Sequence, residues 1–184
     1  MYPCEGFETF ARMVTAMEIN WQPVTCVGRE KIEIGGLIQG KDLALINVLC
    51  LPDHQDAVAE VFKTLGTQAV NVQLAAQTIC PDGPSLALGV AAKDLPTALG
   101  VLKANQDRLG IQSIAHHPRV AFLAVHGPHF RERPGLGALM FSTLAAAGIK
   151  MLAVSTSIST LSCVIEAERL EAAVQALQET FQIP

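Results

Sequence analysis

No stretch of these 184 residues is an unbroken apolar run approaching the roughly 20 residues of a membrane-crossing helix, although half of the chain is hydrophobic. Positive charge is not in surplus either. The formal net charge is −4, which argues against a general nucleic-acid binder. Five cysteines (Cys4, Cys26, Cys50, Cys80, Cys163) are an odd number, and none falls in a C-x-x-C pair. They read as buried thiols of the cytosol. Glu5 and Glu8 suit neither a secretory signal nor a mitochondrial presequence. A soluble, cytoplasmic protein is expected, with one large domain or two small ones that share a core.

What is present is an alternation of apolar strands and amphipathic helices. Residues 120–125 form an apolar run, followed by a polar loop at 126–133 and by Pro134, which fits the first turn of a helix. That helix buries Leu136, Leu139, Met140 and Leu144, and Gly148 stops it. Strands are expected at 149–155 and 160–166. A last helix places Leu170, Ala173, Val174, Leu177 and Phe181 on one face. The order is β-α-β-β-α.

The same order occurs upstream. A strand at 43–51 and a loop at 52–56 precede a helix that buries Val58, Val61, Phe62 and Leu65. Strands at 70–78 and 85–91 flank a Pro81-Asp-Gly-Pro84 turn. A second helix, with Asp94 as N-cap and Pro96 in its first turn, buries Leu95, Ala98, Leu99 and Leu102. Phe62 and Phe141, Leu65 and Leu144, and Val70 and Ile149 are each 79 residues apart, so the chain is an internal repeat. The first unit has a fourth strand at 111–115. The second has none after Phe181, and an unassigned strand at 32–38 is the expected substitute. Residues 1–31 carry an apolar stripe of Phe7, Phe10, Val14 and Met17, which reads as a helical extension. Packing on its own domain and docking to a partner through Trp21 both remain open for it.

Gly127-Pro-His-Phe-Arg-Glu-Arg-Pro134-Gly135, Ala147-Gly148-Ile149 and Val154-Ser-Thr-Ser157 resemble the second ACT unit of the aspartate kinase regulatory region. Phe130 stands where that pattern has methionine, and Ile158 where it has glutamate. Asp53, Val70-Asn71-Val72 and Ala76-Gln77 resemble the first unit, as Ile34-Gly-Gly-Leu-Ile-Gln-Gly-Lys41 resembles the segment ahead of it. The resemblance implies an α+β fold of two ferredoxin-like βαββαβ units, with the strand near the N-terminus completing the second. The corresponding divisions are 1–31, 32–42 (completing strand), 43–117 (first unit) and 118–184 (second unit). Only the regulatory region is resembled, and no kinase part is recognised.

In that family the β-to-α loop and the second strand hold a small amino acid, usually lysine or threonine. The resemblance implies that the backbone at Asp56, Ala57 and Val58 takes a carboxylate, as helix N-termini do. It gives Asp53 the ammonium group, and Val70, Asn71, Gln77 and Thr78 further contacts. Phe130, Pro134, Gly135, Leu136, Ile149, Ser155 and Thr156 occupy the equivalent places in the second unit. Asp56 replaces the family glycine. It adds bulk and a negative charge that a ligand's ammonium tolerates and its carboxylate does not.

Other chemistries have weaker support. His116, His117, His126 and His129 lie close in sequence, but with no cysteine or carboxylate at a ligand spacing; solvated loop histidines are commoner than such a metal site. Gly135-Leu-Gly137 lacks the rest of a dinucleotide fingerprint. Arg119, Arg131 and Arg133 read as a solvated basic loop. The strands at 85–91 and 160–165 carry no aromatics for RNA bases to stack on. No nucleophile–base–orienter set is present, and no cofactor is expected.

The resemblance implies a non-catalytic amino-acid sensor, either free-standing or the regulatory partner of a separate kinase subunit or other biosynthetic enzyme. The alternative is an interaction module with vestigial pockets. The strands of the second unit are apolar on both alternating sets of positions, so both sheet faces need a cover. Helices of one chain cannot reach both, and a homodimer is expected.

Overall fold

The computed structural model describes residues 31–127, 130 and 134–183. The expected N-terminal helix and Trp21 lie outside them. Strands β1 (Ile32–Glu33) and β2 (Gly36–Leu49) lead into helix α1 (Ala57–Gly66) and strands β3 (Val72–Cys80) and β4 (Gly83–Ala91). A 3₁₀ turn then enters α2 (Leu95–Ala104), followed by α3 (Gln106–Leu109), β5 (Ser113–His126) and α4 (Leu136–Ala146). Strands β6 (Met151–Thr156) and β7 (Thr160–Glu166), helix α5 (Leu170–Thr180) and β8 (Phe181–Gln182) complete it. Six strands form one antiparallel sheet in the order β3-β4-β2-β5-β7-β6.

This order is two four-stranded βαββαβ units sharing their middle strands. Leu43–Leu49 of β2 joins β3, β4 and the start of β5. Gly36–Gly40 of the same strand pairs with Phe122–His126, so the strand near the N-terminus completes the second unit. The strands expected separately at 32–38 and 43–51, and at 111–115 and 120–125, are instead halves of two continuous 14-residue strands. Gly40 sits within β2, not in a turn. The junction is a bulge: pairing slips between Gly40 and Leu43, and Asp42 takes φ 57°. Such an insertion bends a strand without ending it.

Each unit has its own helix-covered core. The first packs Ala44, Ile46 and Val48 with Leu86, Leu88 and Val90 beneath Val61, Leu65, Ala98 and Leu102. The second packs Ala121, Leu123 and Val125 with Cys163 and Ile165 beneath Met140, Leu144, Ala173 and Leu177. Phe62, expected inside, is 37% exposed, because α1 turns Val61, Thr64 and Leu65 inward. Phe181, expected on the last helix, follows it in β8 and is still buried. There it gives the second unit a short closing strand, parallel to β1, that the sequence reading did not include. Asp94 is the N-cap of α2 but makes no side-chain cap bond, since the 3₁₀ turn already delivers helical backbone.

The cover for the second sheet face comes from within the chain. Leu43 and Leu45 of β2, Val120 of β5 and Val164 of β7 form a third cluster, joined by Leu74 and Ala87 of one unit and by Leu152 and Ala153 of the other. β3 and β6, at opposite edges of the sheet, touch. The sheet is therefore folded over, with the helix-free faces of the two units against each other. The expectation that burial demands a second chain is corrected, because each unit covers the other.

Candidate functional site

Both units present a strand, a loop, and a helix whose N-cap makes no side-chain hydrogen bond. The first N–H groups of a helix have no intrahelical acceptor and carry partial positive charge, so such a start suits an anionic group. The two loops reach this arrangement differently. In the first, the Cys50 N–H donates to Ser85 Oγ at 3.1 Å and the Leu51 N–H to the Pro84 carbonyl at 2.7 Å. The Ala57 N–H, first in α1, already donates to the His54 carbonyl at 3.2 Å. Asp56 is exposed, with helical dihedrals (φ −92°, ψ −9°).

In the second loop the N-cap is Gly135 in the left-handed region, φ 94°. An L side chain is strained there. Among the described residues, no atom lies within 4 Å of where a Cβ would stand. Gly127 anchors the loop by donating to the Ser159 carbonyl at 3.0 Å, and Phe130 packs on the second core.

The proposed contact residues divide by accessibility. Asp53, Asp56, Asn71, Gln77, Thr78, Pro134, Gly135 and Thr156 are exposed, and Val58, Phe130 and Ser155 are half-buried. Ala57, Val70, Leu136 and Ile149 belong to the two cores. Val70 and Ile149 also have their N–H groups engaged, by the Leu65 and Leu144 carbonyls. The fold brings Asp53, Asp56, Ala57 and Val58 to one loop-to-helix corner. Thr78 is linked to that corner through Ser85, which pairs with it on β4 and accepts the Cys50 N–H. No hydrogen bond among the described residues links Asn71 or Gln77 to it.

Ser85 and Ser159, which fasten the loops, went unnoticed in the sequence. A single serine or a backbone carbonyl leaves no periodic signal. His126 is the last residue of β5, not a loop residue, and its ring packs over Gly35 and Gly36. His116 and His117 lie on the same strand opposite Ile46 and Leu45. Among the described residues no three His, Cys, Asp or Glu side chains gather as a metal site.

Among the described residues two titrating groups are perturbed: Cys163 in the second core and Glu60 in the first turn of α1, just past the first loop. Burial pushes the Cys163 thiol up to about 12. The hydrogen bond from Arg108, aided by Lys63, holds the Glu60 carboxyl below its ordinary value. A depression of about 360 Å3 lies at the bend of the sheet, lined by Lys41, Asp42, Glu168 and Glu171 among others, and neither loop contributes to it.

Residues 123–181, the second unit from β5 to β8, match the ACT domain family model. The first unit repeats the βαββαβ topology of the matched one. Over 155 residues the chain is 27% identical to an aspartokinase of Bacillus sp. (strain MGA3), covering 84% of this chain and 38% of that one. It matches the ligand-free regulatory subunit of aspartate kinase from Thermus thermophilus with a TM-score of 0.73 and 26% identity, over 81% of this chain and 99% of that one. The Synechocystis aspartate kinase gives 0.75 and 28%, over 82% of this chain and 28% of that one. The chain thus spans little more than a third of its curated relative. Fold and sequence make the chain similar to the regulatory region of aspartate kinase, with the ACT-domain match falling on its second unit. No helix among the described residues is long and apolar enough to cross a membrane.

Proposed function

We propose that this is a non-catalytic, amino-acid-binding regulatory protein of the cytoplasm that controls an aspartate kinase carried on another chain. Residues 43–117 would be its first unit, and 118–184 with 32–42 its second. The observation that carries this reading is the second loop, where α4 starts after Gly135 at φ 94° and no atom of the described residues lies within 4 Å of where a Cβ would stand. An amino acid's carboxylate would meet the N–H groups of α4, and Ser155 and Thr156 offer polar groups from the neighbouring strand. The near-complete coverage of the separate Thermus thermophilus regulatory subunit supports a role as a subunit. Lysine and threonine are the first candidates, and a homodimer is the proposed assembly. At the first loop, Asp56 and the engaged Ala57 N–H favour a vestigial pocket.

The test is calorimetric titration of dialysed protein with the common amino acids. Lysine or threonine should release or absorb heat and raise the melting temperature through linkage. No heat and no thermal shift at millimolar ligand would overturn the proposal.

A further inference from the structure

The entry of the chain into the fold is clamped at a point the ligand reading does not use. Ile34 donates to the Gln182 carbonyl at 3.0 Å, and Gly35 donates to the His126 carbonyl at 2.7 Å. The His126 imidazole lies over this segment. A Cβ on Gly35 would stand 3.0 Å from its Cε1 and Nδ1, and one on Gly36 3.0 Å from its Nε2. Gly36 takes φ 150°, which an L side chain rarely adopts. Only two glycines in sequence let the ring approach this closely. The clamp continues into the second loop: a Cβ on Gly127 would stand 3.3 Å from the Gly35 nitrogen and 3.0 Å from the Phe130 ring. The Gly127 N–H bond to Ser159 adds the β6–β7 hairpin, whose first strand carries Ser155 and Thr156. A displacement of Phe130 or of this hairpin therefore has a short contact route, through Gly127, to the residues that follow the N-terminal 30.

We infer that the seat of His126 on Gly35-Gly36 is a coupling contact through which occupancy of the second loop is felt at the entry of the chain, and so at whatever precedes Lys31. The inference rests on the amino-acid-binding reading and adds its route of regulation. His126 is a positioning residue here. What matters is its flat ring seated on Gly35 and Gly36, one residue ahead of Gly127, with no ring hydrogen bond required. Close packing transmits displacement because a filled contact has no slack to absorb it.

The experiment is amide hydrogen exchange over residues 32–38 of the full chain, with and without saturating L-lysine or L-threonine, beside calorimetry on the same samples. In the unaltered protein, ligand should change exchange there by about fivefold or more, the lower range of ordinary coupling. His126→Ala should still bind within about threefold while that response disappears, because only the link is removed. His126→Phe, which keeps a flat ring, should restore the response. Heat of binding without any exchange change at 32–38 in the unaltered protein overturns the coupling and leaves the ligand reading standing. This arm needs no variant to fold. A full response in His126→Ala also overturns it. Calorimetric silence overturns the ligand reading, and the coupling with it.

Discussion

The two units share one topology and differ where each helix begins. At equivalent positions the first has Asp56 in helical backbone and the second has Gly135 at φ 94°. An ordinary residue can hold the first conformation. The second is strained for any residue but glycine, so this left-handed entry depends on Gly135. The units also differ across the hairpin. Up to the edge strand the repeat is 79 residues, but Leu95 and Leu170, Ala98 and Ala173, and Leu102 and Leu177 are 75 apart. The difference falls between β3 and β4, which are longer than β6 and β7. They carry Ile79 outward at 82% exposure. Duplicated units keep the positions that fill their cores and diverge at loops and hairpin tips, where packing demands least.

The largest test concerns whether the units are separable at all. Leu45 is fully buried in the cluster between the helix-free faces. Leu45→Ala should cost about 2–5 kcal/mol, as large cavities do, and should lower one shared unfolding transition in chemical denaturation. Two separate transitions would break the picture of mutually covering units.

A second test separates the cores. Cys163 stands 75 residues after Leu88, so this core position ionises only in the second unit. The folded thiol keeps its proton up to about 12, while an unfolded one releases it near 9.0. The stability it contributes is full below pH 9 and declines as pH rises from there. The slope approaches about 1.4 kcal/mol per pH unit. Denaturant midpoints measured above pH 9 should show that decline, and Cys163→Val should remove its share. An identical slope in the variant would assign it elsewhere.

The third test exchanges the helix starts. Gly135→Asp should weaken amino-acid binding about tenfold, near 1.4 kcal/mol, through backbone strain and a misplaced negative charge. Asp56→Gly should leave binding at the second loop unchanged within about a factor of two. Calorimetry that finds Asp56→Gly the more damaging would reverse the assignment of the working unit.

Much of this was readable from residue order alone, for local reasons. Leu136, Met140 and Leu144 recur at helical spacing, Gly148 takes the left-handed conformation (φ 68°) just past α4, and Pro96 falls in the first turn of α2. The missing fourth strand of the second unit pointed to the segment near Ile34, and Gly36–Gly40 does pair with β5. The candidate site was legible as two loops. The bonds that hold them, from Cys50 to Ser85 and from Gly127 to Ser159, were not.

Sequence by itself determined the main helices, the repeat and, Phe62 apart, most of the inward face of each helix, because periodicity and capping act within a few residues. Tertiary structure alone decided three things. The first is that β2 and β5 run unbroken through both units, bent at Asp42. The second is that the helix-free faces meet, so apolar residues on both sides of a strand need no second chain. The third is that His126 packs over Gly35 and Gly36 rather than entering solvent. Each joins residues far apart in the chain, and whether they touch depends on the register and bend of the strands between them.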